Sequence, residues 1–236
     1  MIKKVALFDF DNTVASGNTN TVAIGVASVA NGSSSFAASG GSTASGKDGQ
    51  IAIGWSSTNG KGAVAIGGTS DTASGRDTRA IGTSAVALGV GSAANGSNAF
   101  VASGGSATGN NAIAISGGTA NGNGSIAIGW QTNAKNDATA VGSNAQATDK
   151  DSVAVGKNSN AAGESATAVG SSATVSGRGG VAVGWNAESA VNAVGIGFNA
   201  KAKSNNTVAI GVEANSDNSI GDNSSSVSIG VKTRAR

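Results

Sequence analysis

The chain has 236 residues, of which 38 are glycine; it has no Pro, Cys, His or Tyr, and only 3% are aromatic. This composition excludes a core of large side chains, disulfide and thiolate chemistry, and the usual zinc and iron ligand sets. The net charge is +2, with 15 basic and 13 acidic residues spread singly, so we predict no nucleic-acid partner.

The first element is an apolar stretch at residues 5–8 that leads into Asp9 and Asp11 in the motif D-F-D-N-T. This motif resembles the first motif of haloacid-dehalogenase-type phosphatases, which implies a nucleophile at Asp9 and a general acid/base at Asp11. Such an enzyme needs a doubly wound sheet with helices, whereas the remaining residues predict neither helices nor strand–helix alternation. We therefore predict no catalytic residue and no enzyme, and we assign residues 1–18 to an N-terminal arm.

The apolar stretch of the arm is too short for a secretory signal. No run of apolar residues is long enough for a membrane helix, and no set of membrane strands is visible, so we predict no membrane insertion.

From Val22 onward, a unit close to V-A-I-G-x-x-S-x-A-x-G recurs, mostly at spacings of 13, 14 or 15 residues. A period this short excludes repeats built from helix pairs, which need roughly 30 residues or more. Two longer spacings contain a spare Ile-Gly, Ile81-Gly82 and Ile220-Gly221, which we interpret as loop insertions or imperfect extra turns. The fifteen units begin at residues 22, 36, 51, 64, 86, 100, 113, 126, 139, 153, 167, 181, 194, 208 and 227.

Each sequence repeat of this kind predicts two short strands and two turns. Val and Ile favour extended backbone, and the Gly, Asn, Ser and Asp residues between them favour turns. One unit is then one coil of about 14 residues in a parallel β-solenoid, which we assign to residues 19–230. Residues 231–236 form a short basic tail.

The alternation in V-A-I directs Val and Ile to one face of the strand and Ala to the other. Both faces are apolar and need cover, and the pattern leaves open which one lies inside the coil. If Ala and Ser fill the interior, the Val and Ile residues form an exposed stripe that predicts self-association with cyclic symmetry. The residues expected in core or subunit packing are Val22, Ile24, Ile51, Ile53, Val64, Ile66, Val86, Leu88, Ile113, Ile115, Ile126, Ile128, Val153, Val155, Val181, Val183, Val208 and Ile210.

The repeats S-V-A-V-G-K-N-S-N-A-A-G at 152–163 and T-V-A-I-G-V-A-S-V-A-N-G at 21–32 resemble the YadA-like head repeats of trimeric autotransporter adhesins, which also occur in bacteriophage fibre proteins. The resemblance covers residues 20–232 or so. It implies a homotrimer, intertwined or side by side, of left-handed parallel β-rolls with Val and Ile columns at the three-fold axis. It also implies attachment to a host cell-surface glycan or protein.

Two settings follow from this resemblance. A chain that begins at Met and consists almost wholly of head suits a bacteriophage head fibre, tail fibre or decoration protein. In that setting the molecule is part of the virion, and the arm attaches it to other virion proteins. The alternative is the head of a bacterial trimeric autotransporter adhesin at the cell surface. A monomeric ice-binding solenoid is a third class, but the irregular Thr pattern argues against it.

Three tryptophans and one phenylalanine directly follow the glycine of a tetrad. Aromatic side chains are favoured at binding surfaces, so we predict receptor contacts at Trp55, Trp130, Trp185 and Phe198. The other interpretation is that these residues fill a groove between subunits or cover small neighbours. The scattered Asp residues lack the spacing of a calcium loop, so we predict no metal and no cofactor.

Overall fold

The computed structural model describes residues 4–7, 13–16, 19–40, 42–43, 47–68, 77–216 and 225–235. These residues form short strands joined by turns, and none of them lies in a helix. The predicted all-β class is therefore confirmed. Asp9, Asp11 and the Ile220-Gly221 dipeptide lie outside the described residues.

The chain divides into two compact units, Met1–Gly117 and Gly118–Arg236. In each unit, successive strands alternate between two parallel sheets, which we call the repeat sheet (the strands of the V-A-I tetrads and β1) and the second sheet. In the first unit the repeat-sheet strands are β1 (Lys4–Leu7), β3 (Thr21–Ile24), β5 (Phe36–Ala38), β7 (Ile51–Ile53), β9 (Val64–Ile66), β11 (Val86–Leu88), β13 (Phe100–Ala102) and β15 (Ile113–Ile115). Its second-sheet strands are β2 (Val14–Ala15), β4 (Val29–Ala30), β6 (Ser42–Thr43), β8 (Ser56–Thr58), β10 (Thr78–Ala80), β12 (Ala93–Ala94) and β14 (Ser106–Ala107).

The second unit has the same alternation. Its repeat-sheet strands are β17 (Ile126–Ile128), β19 (Thr139–Val141), β21 (Val153–Val155), β23 (Thr167–Val169), β25 (Val181–Val183), β27 (Val194–Ile196), β29 (Val208–Ile210) and β31 (Val227–Ile229). Its second-sheet strands are β16 (Thr119–Ala120), β18 (Asn133–Ala134), β20 (Gln146–Ala147), β22 (Asn160–Ala161), β24 (Thr174–Val175), β26 (Glu188–Ser189), β28 (Lys201–Ala202), β30 (Asn215–Ser216) and β32 (Arg234–Ala235).

Neighbouring strands of one sheet pair in parallel and in register with the repeat. Ala154 in β21 pairs with Ala140 of the preceding coil and with Ala168 of the following coil. All fifteen predicted tetrads form strands of the repeat sheet. The predicted parallel β-solenoid is confirmed, while its left-handedness and its trimeric assembly stay predictions.

Two strands lie within the segment predicted as an N-terminal arm. β1 pairs with β3, with Lys4 opposite Thr21, and β2 pairs with β4, with Val14 opposite Val29. These two strands are therefore in register with the first repeat. The domain boundaries and the attachment role of the arm stay predictions.

The first spare Ile-Gly lies in a longer coil that has the usual two strands, β9 and β10. Ile81 follows β10, and β10 pairs with β8 on one side and with β12 on the other. Ile81-Gly82 is therefore the turn after a normal second-sheet strand and not an extra coil.

Small side chains fill the interior of each unit. The middle residue of a repeat-sheet strand points inward and is usually alanine, as at the fully buried Ala140, Ala154 and Ala168. The second sheet contributes inward residues of similar size, such as the buried Ala147 and Ala161. Because strand residues alternate, the Val and Ile residues of the same tetrads point outward.

The glycine after a repeat-sheet strand lets the coils stack closely. Gly184 has a φ of +133°, a conformation that residues with side chains rarely adopt. A Cβ added at Gly184 would lie 2.4 Å from the carbonyl oxygen of Gly197 in the next coil. The N–H of Gly184 also donates to the carbonyl oxygen of Val169, at 2.8 Å, in the preceding coil. The repeated glycine is thus required by both backbone conformation and space.

Candidate adhesive surface

The outward Val and Ile residues form aliphatic columns on the repeat sheet of each unit. None of the eighteen residues predicted in core or subunit packing is buried in the single chain. Ile51 and Ile66 are exposed, and the others are half-buried. In-register pairing sets aliphatic residues side by side in neighbouring coils, as with Val183 and Ile196. A continuous apolar surface of this kind is typical of an interaction site rather than of a free surface.

The four predicted aromatic contacts lie where a repeat-sheet strand turns toward the second sheet. Their exposed fractions are 41% for Trp55, 66% for Trp130, 50% for Trp185 and 46% for Phe198. The same repeat position also holds exposed aliphatic residues that were not predicted, although they follow the same glycine: Val26, Val90, Val212 and Val231.

The aromatic residues have different surroundings. Trp185 and Phe198 stack on each other, with ring centroids 4.8 Å apart and an interplanar angle of 17°. Trp55 instead covers a glycine, because a Cβ added at Gly40 would lie 3.1 Å from Trp55 Cε2. Trp55 thus covers a small neighbour, whereas Trp185 and Phe198 together form a larger exposed aromatic surface.

The outward face of the second sheet is polar, in contrast to the repeat sheet. In the second unit its half-buried outward residues are Thr119, Asn133, Gln146, Asn160, Thr174, Glu188, Lys201 and Asn215. The Lys201 ammonium donates to Glu188 Oε1 at 2.7 Å, and both side chains are about one-third exposed. A pair this exposed contributes little to stability, at most about 1 kcal/mol.

Asparagines pair between the turns of neighbouring coils. Asn186 Nδ2 donates to Asn199 Oδ1 at 2.7 Å, and Asn144 Nδ2 donates to Asn158 Oδ1 at 2.9 Å. All four have φ between 54° and 59°, the left-handed conformation that Asn tolerates better than most residues. These pairs link the turns that follow the repeat-sheet strands.

A groove of about 500 Å³ lies over strands β24, β26 and β28 in the second unit. A Cβ added at the inward-facing Gly195 would lie 2.3 Å from the carbonyl oxygen of Glu188, so β26 lies close to a position that only glycine can occupy. The lining combines hydroxyl, amide and charged groups with two alanines: Thr174, Ser176, Asn186, Glu188, Ser189, Ala190, Ala202 and Lys203.

Within the described residues, no group of His, Cys, Asp or Glu side chains could hold a metal ion. A search of the same residues finds no helix long and apolar enough to cross a membrane.

Fold and surface together define a β-solenoid of short coils, with small residues inside and aliphatic columns outside. A family model described as "YadA head domain repeat (2 copies)" matches residues 15–38, 73–99, 119–132, 134–159, 161–187 and 189–214. These ranges make up more than half of the chain, and the chain belongs to the YadA head family. No curated protein matches the chain.

YadA-like heads are adhesins of the bacterial cell surface that form homotrimers and bind host surfaces. Their repeats and their β-solenoid fold are typical of structural adhesins and not of enzymes. Family and fold together support an adhesin-like fibre function for this chain.

Proposed function

We propose that this chain assembles as a homotrimeric fibre head whose Val and Ile columns pack against one another around a three-fold axis. The observation that carries this proposal is the outward direction of these columns. Alanine fills most inward positions, so these aliphatic residues contact one another along the columns and remain partly exposed on the outer side.

Burial of these columns between subunits provides a driving force for assembly. Each apolar side chain removed from water contributes about 1.5–3 kcal/mol when it passes from exposed to buried, and the half-buried residues here contribute part of that amount. The contribution recurs in coil after coil along one sheet, whereas the second sheet presents polar groups to water. Cyclic symmetry closes such an interface without open-ended polymerisation.

The experiment is the solution mass by light scattering at several protein concentrations. A trimer has a mass of about 67 kDa, three times the 22.2 kDa of the chain. In the test variant, Val153, Val155, Val181 and Val183 are all replaced by Asp, which would bury unpaired charges at the subunit contact. We expect this variant to dissociate. The matched control, Asn160→Asp, adds a charge to the polar outward face of the same region and should leave the mass unchanged.

A constant mass of 22.2 kDa for the unmodified chain would refute the trimer. Dissociation of the Asn160→Asp variant alone would place the interface on the second sheet instead. The masses of the variants are compared only after circular dichroism has shown that each variant keeps its strand content.

A narrower question is whether the head is carried by a bacteriophage particle or by a bacterial cell. The sequence predicts a bacteriophage virion, with residues 1–18 contacting other virion proteins, and the family match favours the bacterial cell surface. Immunogold labelling of purified virions and of intact cells of the source bacterium separates the two. Label on virions alone supports the fibre of a phage particle, and label on cells alone supports a surface adhesin.

A further inference from the structure

The stacked aromatic pair and the groove over β26 belong to the same two coils. Trp185 begins the turn that leads into β26, and Phe198 begins the equivalent turn that leads into β28. Asn186 follows Trp185 directly and also lines the groove. The aromatic pair is thus next to the polar groove in the chain, since Trp185 directly precedes the groove residue Asn186.

From this juxtaposition we infer that the surface formed by Trp185, Phe198, Asn186, Glu188 and Lys203 binds a carboxylate-bearing pyranose of a cell-surface glycan. The inference rests on the proposed adhesive function and specifies its ligand. A pyranose ring has an apolar C–H face and a rim of hydroxyl groups. It therefore needs a flat apolar surface beside several hydrogen-bonding groups.

The aromatic pair supplies the flat surface. The near-parallel rings of Trp185 and Phe198 cover one face of each other, and both side chains remain about half exposed, so the pair offers its outer ring faces and edges as an apolar surface. Trp130, which takes the same repeat position, is followed one coil later by Ser143 and not by an aromatic residue. The paired arrangement therefore distinguishes Trp185 from Trp130.

The groove supplies the hydrogen-bonding groups. Asn186, which lines the groove, uses its Nδ2 to donate to Asn199, and its side-chain oxygen is a hydrogen-bond acceptor. Thr174 and Ser176 contribute hydroxyl groups to the same lining. A hydroxyl-rich ligand is complementary to a lining of this kind, whereas a purely apolar ligand is not.

The charges favour an acidic sugar. Glu188, the carboxylate in the lining, is paired with Lys201 at 2.7 Å, which neutralises much of its charge. Lys203 has no ion-pair partner among the described residues, and its side chain is exposed at the groove. A carboxylate on the sugar would complete a charge pair with Lys203.

The test measures binding of the full-length protein to immobilised polysaccharides by biolayer interferometry. The probes are hyaluronan, alginate and polysialic acid as acidic pyranose polymers, with chitin oligosaccharides and dextran as neutral ones. We expect at least one acidic probe to bind. Trp185→Ala and Phe198→Ala should each weaken that binding about tenfold through loss of the aromatic face, and Trp130→Ala should leave it unchanged.

Lys203→Gln tests the charge. This substitution should weaken binding of the acidic probe about threefold, because an exposed charge pair usually contributes only a small free energy of binding. Binding of any neutral probe should not change. Light scattering on every variant separates this inference from the proposed function. An unmodified chain that is trimeric but binds none of the probes refutes the glycan site alone, and a monomer refutes the fibre head. Loss of trimer mass in Trp185→Ala would assign the aromatic pair to a subunit contact and overturn the inference.

Discussion

Replacing Gly184 by alanine should destabilise the protein more than the same change at Gly179. The φ of +133° makes a side chain costly there, by about 2 kcal/mol, within the range for residues held in disfavoured backbone conformations. The added Cβ would also lie 2.4 Å from the Gly197 carbonyl oxygen, so the two coils must separate. That separation weakens the adjacent hydrogen bond from Gly197 N–H to Val183 O, now 2.8 Å long, which costs about 1 kcal/mol more.

The expected loss is therefore about 3 kcal/mol, a decrease in thermal midpoint of about 6–12 °C for a chain of this size. The matched control is Gly179→Ala. Gly179 has a φ of +64°, and the only close atoms are at the flexible end of the Asn192 side chain. That change should cost about 1 kcal/mol, from the left-handed backbone alone.

The assay is thermal unfolding followed by circular dichroism, at equal protein concentration because assembly shifts the midpoint. Equal midpoints for Gly184→Ala and Gly179→Ala would refute the argument that close stacking of the coils requires glycine after the repeat-sheet strand. Hydrogen exchange at the amides of Gly184 and Gly197 provides a local measurement of the same effect, with faster exchange expected in Gly184→Ala.

Two further predictions concern the interior and the outward face of the second sheet. Ala168→Leu adds bulk at a fully buried position between the sheets and should lower the free energy of unfolding by about 1–3 kcal/mol. The control, Lys157→Leu at an exposed turn, should lower it by less than about 0.5 kcal/mol. Urea unfolding of both variants tests whether the interior is closely packed. Glu188→Gln removes the pair with Lys201, which is about one-third exposed, and should cost less than about 1 kcal/mol at low salt and still less at high salt. A larger, salt-independent loss measured by thermal unfolding would mean that Glu188 stabilises the fold by other contacts.

The repeat by itself determined most of the fold. A glycine-rich unit of about 14 residues with β-branched residues at alternate positions fits a parallel solenoid, and all fifteen predicted tetrads are strands. Local chemistry suffices here, because strand propensity and turn residues recur in every coil. The candidate aromatic residues were also visible from sequence, since each directly follows a tetrad glycine.

Only the tertiary structure decided which face is inside. Period-two alternation shows that Val153 and Val155 share a face opposite Ala154. Both faces are apolar, so the pattern does not show which of them lies inside the coil. Closure of a coil this small favours small side chains inside, so alanine takes most inward positions and Val153 and Val155 lie outside. Likewise, Trp185 and Phe198 are 13 positions apart in the chain, and the register between two successive coils brings their rings into contact. Contacts of this kind depend on how coils stack, which no single repeat encodes.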